Sequence, residues 1–343
     1  MTRNETKQIN VGHISIGHSS KVLIQTMGNI KTSKVKQVIK QINACAALGC
    51  DLFRVAILDA SDAKAIKSIK KAINIPLIAD IHFDYNLAIL AIENGVDALR
   101  INPANIKKEA LLKIINAAKA HQIPLRIGIN AGSFNKRITN KVALMVATAK
   151  EYIAFFEAQG FTDLVLSVKS SDVIDTYQAY LALSKTTHYP LHLGITESSF
   201  GKRGLIRSAA GLAPLLINGL GDTIRISLTD DPLDEVKTAK MLLHDLHLYD
   251  DYFTLISCPA CGRTMVKIAS LVRKVEKYLE QHPKRITVAI MGCVVNGPGE
   301  GKNADLGLAG GKDAFVLFKN GNVYKTVSPE DAYQELIAEI ERF

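Results

Sequence analysis

The chain has 343 residues, of which 48% are hydrophobic and 22% charged, with 23 glycines and 10 prolines. This composition is typical of a folded globular protein and excludes a disordered, collagen-like or disulfide-dense chain. The formal net charge of +9 is spread along the whole length, which favours an anionic ligand or an acidic partner over a nucleic-acid-binding arm. No stretch approaches the roughly 18 apolar residues of a membrane span, and no apolar secretion signal is present, so we expect a cytoplasmic protein.

Short β-rich runs alternate with helical patterns in the first part of the chain. The eight runs are VLIQTM (22–27), LFRVAI (52–57), LIADI (77–81), ALRIN (98–102), LRIGIN (125–130), DLVLSV (163–168), LHLGI (191–195) and TIRISL (223–228). Strict alternation predicts parallel strands joined by right-handed crossovers. Eight units predict an α/β protein with an N-terminal (β/α)₈ TIM barrel. An open doubly wound sheet is the alternative, because periodicity does not show closure.

Polar side chains lie in or just after these eight runs. They are Arg54, Asp80, His82, Arg100, Asn102, Arg126, Asn130, Lys169, Thr196, Glu197, Arg225 and Ser227. A buried strand is normally almost all Val, Ile and Leu, because an unpaired charge inside the protein costs several kcal/mol. Arginine forks and a lysine that converge on the C-terminal end of a barrel predict a site for phosphate oxygens. Salt bridges at the edge or on the outside of the barrel are the alternative interpretation.

The pattern changes beyond about residue 250. An amphipathic stretch is followed by a strand-like ITVAIMG, a hairpin-like AFVLFKNGNVYKTV with Asn-Gly at its turn, and a helical C-terminus. Roughly 90 residues of this kind are enough for a small α+β domain. We therefore predict two domains, a barrel that binds the substrate over residues 1–250 and a smaller domain over residues 251–343.

Five cysteines, an odd number without a secretion signal, do not describe a disulfide framework. Cys45 and Cys50 lie in a helical apolar pattern and are predicted to be core residues. Cys258 and Cys261 form a CPAC motif, whose two thiolates can bind one metal or two corners of one cluster. The third thiol, Cys293, stands alone in GCVVNGPGE.

Three kinds of site are compatible with these thiols. A structural zinc site normally has a second Cys pair or a His pair, and a thioredoxin-like dithiol leaves Cys293 without a role. Three cysteines with a Gly-Pro-Gly loop suit a four-iron cluster in which one iron lacks a thiolate. Glu300, seven residues after Cys293, is a candidate for that position, and a solvated loop carboxylate is the alternative.

Several motifs together resemble one enzyme family. They are CPACGR, GCVVNGPGE, ADIHFDY (79–85), LRINP (99–103), RIGINAGS (126–133), LHLGITE (191–197) and GDTIRISL (221–228). The chain resembles the bacterial 4-hydroxy-3-methylbut-2-enyl diphosphate synthases of the non-mevalonate isoprenoid pathway. The similarity runs from QTMGNI at residue 25 through nearly the whole chain.

The resemblance implies a TIM barrel followed by a small iron–sulfur domain. The implied reaction is the reductive ring opening and dehydration of 2-C-methyl-D-erythritol 2,4-cyclodiphosphate to 4-hydroxy-3-methylbut-2-enyl diphosphate, an oxidoreductase activity that uses two electrons. One 4Fe-4S cluster per subunit would be held by Cys258, Cys261 and Cys293, with Glu300 as the fourth ligand.

The resemblance also implies roles for the polar residues of the barrel. Arg54, Arg100, Arg126, Lys169 and Ser227, with Asp80, His82, Asn102, Asn130 and Arg225, would bind the cyclic diphosphate. Thr196 and Glu197 would lie near the reacting carbons, with Glu197 as a candidate proton donor, and Asn296 would approach from the cluster domain. The sequence departs from the usual motifs in QTMGNI, INPANI and TESSFG, and none of these changes removes a cluster ligand.

The implied partners are an electron donor and a second copy of the chain. No Gly-rich dinucleotide fingerprint is present, so a small acidic carrier, flavodoxin or ferredoxin, is expected to deliver the electrons. The family implies a homodimer in which the cluster domain of one subunit covers the barrel of the other, and we expect neither a nucleic-acid nor a membrane partner. Two other functions stay open: a phosphate-binding barrel with a structural zinc module, and an aldolase with Lys169 as its Schiff-base amine.

Overall fold

The computed structural model describes residues 2–19, 21–134, 140–259, 261–293 and 300–343, with the backbone alone for Glu300. The chain divides into two compact units, Met1–Tyr249 and Asp250–Phe343. Each unit contains its own β-sheet. No helix in the described ranges is both long and apolar enough to cross a membrane.

Strands and helices alternate through the first unit after a short N-terminal hairpin of β1 (Ile9–Val11) and β2 (Ile14–Ile16). The next strands are β3 (Leu23–Met27), β4 (Leu52–Ala56), β5 (Leu77–Ile81), β6 (Ala98–Ile101), β7 (Leu125–Asn130), β8 (Leu164–Lys169), β9 (His192–Leu193) and β10 (Thr223–Ile224). The helices are α1 (Val35–Ala47), α2 (Ala60–Lys70), α3 (Tyr85–Glu93), α4 (Lys108–His121), α5 (Lys141–Ala158), α6 (Val173–Ser184), α7 (Gly201–Ile217) and α8 (Pro232–Asp245). Each of the eight predicted runs therefore overlaps a strand, and β8 extends one residue beyond its predicted run.

The eight strands β3 to β10 form a parallel ring. Strands β3 to β8 pair each with the next, and β10 pairs with both β3 and β9. A parallel bridge between Leu166 of β8 and Leu191, just before β9, joins the two remaining edges. The predicted (β/α)₈ barrel is confirmed, and the open doubly wound sheet is wrong.

Strands β9 and β10 are shorter than the runs predicted at 191–195 and 223–228, with two residues each. Beyond β9 the backbone turns, since Glu197 has a left-handed φ of 53° that an extended strand does not contain. Beyond β10 the N–H of Leu228 donates to a side-chain carboxylate of Glu235, not to a neighbouring strand. Each of the two strands therefore ends after two residues and is followed by a loop.

The N-terminal hairpin covers one end of the barrel. Its residues Ile9, Val11 and Ile16 are buried in a cluster with the first residues of several barrel strands, among them Leu23 and Leu52. Side chains at the start of parallel strands share one end of a barrel, so the hairpin closes the N-terminal end. The C-terminal end is the one at which the predicted site residues gather.

The barrel core includes two of the cysteines. Cys45 on α1 is fully buried beside Val38 and Ile42, and Cys50 is 3% exposed. Burial raises the pKa of Cys45 to about 12 and also raises the pKa of Cys50, so both thiols are neutral near pH 7. The prediction that these two residues belong to the core is confirmed.

The described part of the second unit is a mixed sheet with two α-helices. Its elements are β11 (Thr254–Ser257), α9 (Ala269–Gln281), β12 (Thr287–Met291), β13 (Leu306–Gly310), β14 (Phe315–Lys319), β15 (Asn322–Val327) and α10 (Ala332–Arg342). Strands β11, β12 and β13 are parallel, and β13, β14 and β15 are antiparallel. Asn320 and Gly321, with φ of 48° and 78°, form the tight hairpin turn that the Asn-Gly pair predicts.

Candidate functional site

Asp80, at the end of β5, lies among basic side chains. Its Oδ1 accepts a hydrogen bond from Nη1 of Arg100 at 3.1 Å, and its Oδ2 lies 3.8 Å from Nε of Arg54 and 3.6 Å from Nε2 of His82. Burial alone would raise the pKa of Asp80, but the charges of Arg54 and Arg100 and the contact with His82 hold it well below its usual range. Asp80 is therefore an ionised acceptor that orients two arginines and a histidine.

Met27, the last residue of β3, connects two of the arginines. Its Sδ accepts hydrogen bonds from Nε and Nη2 of Arg54 at 3.2 and 2.9 Å, and Nη1 of Arg225 lies at 3.6 Å. A thioether is a weak acceptor, so these N–H groups can exchange it for an anionic oxygen. Burial lowers the pKa of Arg54 to about 10, which leaves the guanidinium charged near pH 7.

Glu235, in the first turn of α8, is 2% exposed and holds Arg225. Its two oxygens accept from Nε and Nη2 of Arg225 at 3.0 and 2.9 Å, the bidentate geometry that an Arg fork favours. The same carboxylate accepts from the hydroxyl of Thr26 at 2.6 Å and from the N–H of Leu228 at 3.0 Å. These four hydrogen bonds to Glu235 hold in place the strand end and the loop that contain Arg225 and Ser227.

Arg126 of β7 is buried with spare hydrogen-bond donors. Its Nη1 donates to Oε1 of Gln25, while its Nε and Nη2 and the Nε2 of Gln25 have no partner among the described residues. Burial, together with the charges of Arg54 and Arg100, lowers the pKa of Arg126 well below its usual range. A buried guanidinium with unused donors is unfavourable by itself and is stabilised when an anion binds.

Two glycines make room for basic side chains. A Cβ at Gly194 would lie 2.5 Å from Nζ of Lys169 and 3.0 Å from the carbonyl oxygen of Arg225. A Cβ at Gly128 would lie 2.5 Å from Nε of Arg100. Burial and the neighbouring arginines lower the pKa of Lys169 well below its usual range. Glycine at these positions permits cations to approach the backbone more closely than any other residue would allow.

The remaining predicted barrel residues differ in burial. Asn102 is 2% exposed, donates to Oγ of Ser133 at 3.1 Å and accepts from the N–H of Ala104. Asn130, Thr196 and Ser227 are half-buried, and Glu197 is exposed. The structure therefore joins Arg54, Asp80, His82, Arg100 and Arg225 by contacts, and shows no such contact for Glu197 among the described residues.

The charges at this end of the barrel do not balance. The basic residues are Arg54, Arg100, Arg126, Lys169 and Arg225, and the carboxylates among them are Asp80 and Glu235. Apart from Arg225, every one of these side chains belongs to a residue less than 9% exposed. The formal excess of three positive charges among these seven residues, in a poorly solvated site, favours a multiply charged anion such as a diphosphate, whose binding also stabilises the charged form of Lys169 and Arg126.

Two cysteines lie at one edge of the second unit's sheet. Cys258 follows β11 and Cys293 follows β12, and these strands are parallel neighbours with Ser257 opposite Ile290. The N–H of Gly292 donates to Sγ of Cys258 at 3.0 Å. Cys258 and Cys293 are 8% and 3% exposed. Both thiols are therefore sheltered at the carboxyl edge of the sheet.

The loop of Cys261 is tied to the same edge. The N–H of Cys261 donates to Oγ1 of Thr264 at 3.0 Å, and the N–H of Met265 donates to the carbonyl oxygen of Gly292 at 2.9 Å. Hydrogen bonds from the backbone and side chain of Arg263 lower the pKa of Cys261, which favours the thiolate. The three cysteines thus lie on loops that share one edge.

The chemistry of the three cysteines suits an iron–sulfur cluster, although the described side chains do not form a complete metal site. Among the described residues, no three His, Cys, Asp or Glu side chains are gathered as a metal site. Asn296 and the side chain of Glu300 lie outside the described residues. The chemistry nonetheless fits, because the cysteines are free thiols and N–H donors to sulfur are a typical feature of cluster sites.

Comparison with known proteins identifies the family. The models named GcpE TIM-barrel domain and GcpE protein C-terminal domain match residues 6–240 and 254–342. The chain is 46% identical to the 4-hydroxy-3-methylbut-2-en-1-yl diphosphate synthase (flavodoxin) of Clostridium perfringens, over 99% of each chain. The chain belongs to the GcpE family. A second GcpE relative with the same name, from Caldanaerobacter subterraneus, is 47% identical over 99% of this chain and 98% of its own.

Membership of the GcpE family confirms the resemblance to these synthases and the prediction of an enzyme. Solved structures with a similar fold include the dihydropteroate synthase of Yersinia pestis, with a TM-score of 0.53 and 14% identity over 70% of this chain and 98% of that chain. The Xanthomonas albilineans dihydropteroate synthase matches with a TM-score of 0.53 over 71% of this chain and 98% of that chain, also at 14% identity. At this identity the likeness shows the barrel fold alone.

Three contact residues of this GcpE site were not predicted from the sequence. Gln25 and Met27 lie two residues apart on β3 and share one face of the strand. A polar side chain within a buried strand, the signal that singled out the arginines, would also have found Gln25. Glu235 gave no comparable signal, because a carboxylate in the first turn of a helix is ordinary.

Proposed function

We propose that this chain catalyses the reductive ring opening of 2-C-methyl-D-erythritol 2,4-cyclodiphosphate. Two electrons and two protons enter, one C–O bond to phosphate and one C–OH bond break, and the products are 4-hydroxy-3-methylbut-2-enyl diphosphate and water. The observation that carries the proposal is the cluster of four arginines and one lysine around two carboxylates at the barrel mouth, in a chain that matches named synthases of this product along 99% of its length.

The basic residues of the barrel bind and polarise the diphosphate. Arg54 and Arg225 exchange the Met27 thioether for phosphate oxygens, and Arg126 uses its spare Nε and Nη2 donors. Negative charge develops on the phosphate oxygen as its bond to carbon breaks. Preorganised cations stabilise that charge without further reorganisation, because Asp80 and Glu235 already hold three of the arginines in place.

The polar residues around the arginines orient the rest of the substrate. We propose that His82, Asn102, Asn130, Lys169 and Ser227 contact the diphosphate and its ring, and that Thr196 lies near the reacting carbons. The exposed side chain of Glu197, in its protonated carboxylic acid form, is the proposed proton donor to the leaving oxygen. Its left-handed backbone, with φ of 53°, is uncommon for a non-glycine residue and is found in turns and at active sites.

The cysteine edge is the proposed cofactor site. Cys258, Cys261 and Cys293 would hold one 4Fe-4S cluster per subunit, with Glu300 as fourth ligand and Asn296 close to the substrate. The cluster would supply single electrons and a Lewis-acidic iron to the bound substrate. The Gly292 N–H keeps Sγ of Cys258 oriented, and the lowered pKa of Cys261 keeps that thiol ready to bind metal.

The proposed partners complete the cycle. The named relatives carry flavodoxin in their names, and we propose that flavodoxin or a ferredoxin is the electron donor of this chain. We also propose a homodimer in which the cluster domain of one subunit covers the barrel of its partner. An active monomer at high dilution would contradict the dimer.

Metal analysis of protein purified without oxygen tests the proposed cofactor. Unaltered protein should contain about four irons and four sulfides per chain, and Cys293→Ser should lose most of both. Cys45→Ala, which removes a buried core thiol, is the control and should keep its iron. Turnover of the cyclodiphosphate with a chemical reductant then tests the reaction. Stoichiometric zinc without sulfide would refute the reductase and leave a phosphate-binding barrel.

A further inference from the structure

The second unit has no net formal charge but distributes its charges unevenly. Residues 250–343 contain twelve Lys and Arg and twelve Asp and Glu. Residues 259–275, which follow Cys258, contain four basic residues and no acidic one. These four, Arg263, Lys267, Arg273 and Lys274, are all exposed, and we call them the α9 basic face.

A groove runs from this face to the cysteine edge. It has a volume of about 790 Å³, and its lining includes Cys258, Met265, Lys267 and Arg273. Met265 is 58% exposed and places an apolar side chain at the surface of this groove. A second hollow of about 430 Å³ is lined by Lys267 and Lys274, and also by one carboxylate, Glu330. The surface beside one thiol therefore combines apolar and basic side chains.

The basic residues near the start of α9 do not stabilise this helix. α9 begins at Ala269 without a side-chain cap and without an acidic residue in its first turn. Lys267 precedes that turn and Arg273 follows it, although positive charge near a helix N-terminus is unfavourable. No ion pair joins Lys267 or Arg273 to a carboxylate among the residues that the structure describes. Their charge is therefore available to a partner.

We propose that the α9 basic face, together with Met265 in the same groove, is the docking surface for an acidic flavodoxin-type electron carrier. This inference rests on the proposed function. Each encounter oxidises the carrier by one electron, and two encounters supply the two electrons of the reaction. Electron transfer slows steeply with distance, so the carrier must bind near the thiols, and the groove reaches Cys258.

The composition of the face suits a brief encounter. Electron-transfer complexes are small, and complementary charge accelerates their formation. A flexible methionine side chain adapts to different apolar partners. The barrel mouth of the proposed dimer partner also carries excess positive charge, so we expect the α9 basic face to stay outside that contact and free for an acidic partner.

The first test reverses charge on the face. The variant is Lys267→Glu with Arg273→Glu, and the control is Lys36→Glu with Lys40→Glu, which makes the same charge change on the exposed side of α1. With reduced flavodoxin as donor, the KM for the carrier should rise at least tenfold in the first variant and stay unchanged in the control. With dithionite, a small reductant that needs no docking surface, both variants should turn over like the unaltered enzyme.

Ionic strength gives an independent readout. The rate with flavodoxin should fall as salt rises for the unaltered holoenzyme and the control, and should depend much less on salt in the α9 variant. Calorimetry with oxidised flavodoxin should show a Kd at least tenfold weaker for the α9 variant. Lys267→Arg with Arg273→Lys, which retains both charges, should bind as the unaltered protein does.

Equal carrier KM and Kd in the two reversed variants would overturn the proposal. A change of sedimentation mass in the α9 variant, with carrier binding unchanged, would assign the face to a second copy of the chain. Failure of the proposed function is distinguishable, because the unaltered enzyme would then not turn over with dithionite, while the Kd would still test the docking surface.

Discussion

The carboxylate of Glu235 accepts two hydrogen bonds from the Arg225 guanidinium, one from Nε at 3.0 Å and one from Nη2 at 2.9 Å. Glu235 belongs to α8, and Arg225 follows β10, so a helix outside the barrel sets the direction of a side chain at its mouth. The same carboxylate holds the N–H of Leu228. Glu235 is thus a positioning residue, which acts through Arg225 and the loop of Ser227.

Replacing Glu235 should impair substrate binding and stability together. Glu235→Ala leaves Arg225 without its partner, and removing one member of a buried ion pair typically costs about 3–5 kcal/mol of unfolding free energy. The KM for the cyclodiphosphate should rise at least tenfold, because the Arg225 fork is no longer held. Urea unfolding and steady-state kinetics measure the two effects.

Glu235→Gln separates the effect of the negative charge of Glu235 from the effect of its size and shape. The amide retains one acceptor for Arg225 but loses the negative charge, so the KM should lie between those of Glu235→Ala and the unaltered enzyme. A purely structural role would change the unfolding free energy of both variants and leave the KM of the folded protein unchanged, and that result would contradict the positioning role.

Gly128→Ala should weaken substrate binding with little loss of fold. The new methyl group would meet the Arg100 guanidinium at 2.5 Å, and this flexible side chain must shift away from the mouth. We expect the KM to rise about tenfold and the far-ultraviolet circular dichroism to stay unchanged. Gly132→Ala is the matched control, because a Cβ there meets no atom within 4 Å. Similar KM values in the two variants would contradict the role of Gly128.

The barrel was predictable from the sequence because its periodicity is local. Runs such as LIADI at 77–81 are apolar enough to be recognised as strands, and β5 has these bounds. The closing contact between Leu166 and Leu191 was not predictable, because periodicity carries no information about which distant edges meet. The N-terminal hairpin was missed because its strands have three residues each, too few for a pattern.

The site was predictable only in part, for a related reason. Arg54, Arg100 and Arg126 interrupt buried strands, so their positions were unusual in the sequence itself. The pairing of Arg225 with Glu235 depends on how α8 packs against the barrel, and the pairing of Arg126 with Gln25 depends on where β3 and β7 face each other. Tertiary packing decides these contacts, and a local pattern does not show them.

Asp80 should make stability depend on acid pH. Its folded pKa is lowered below the unfolded value of about 3.9, so its contribution is fully present above about pH 5 and is lost as pH falls towards the folded pKa. Asp80→Asn should lower the unfolding free energy by about 3 kcal/mol at pH 7. The gap between the two proteins should narrow near pH 3.5, as urea unfolding at both pH values would show.

An exposed carboxylate is the control for Asp80. Asp245, at the end of α8, is exposed, and Asp245→Asn should change neither stability nor its pH dependence appreciably. A gap for Asp80→Asn that is equally large at pH 7 and pH 3.5 would contradict the argument, because it would show that the loss comes from packing and not from charge.

Asp222 should have the opposite effect on the pH dependence of stability. Burial raises its pKa to about 6, although it accepts hydrogen bonds from the N–H of Leu191 and the hydroxyl of Thr6, both at 2.7 Å. The folded protein then binds the proton more tightly than the unfolded chain, so stability falls as pH rises from about 4 to about 6. Asp222→Asn removes this titration. Its unfolding free energy should therefore rise relative to that of the unaltered protein between about pH 4 and about pH 6, by roughly 3 kcal/mol at most.

Urea unfolding of both proteins at pH 4, 5, 6 and 7 measures the change. Thr6→Val keeps the carboxylate but removes a hydrogen bond that lowers its pKa, so the fall in stability should extend to higher pH in that variant. A constant difference between Asp222→Asn and the unaltered protein at all four pH values would show that Asp222 has the same pKa in the folded and unfolded chain. Because Asp80 loses its contribution as pH falls below about 4 and Asp222 opposes folding as pH rises above it, the combined contribution of these two residues should be greatest near pH 4.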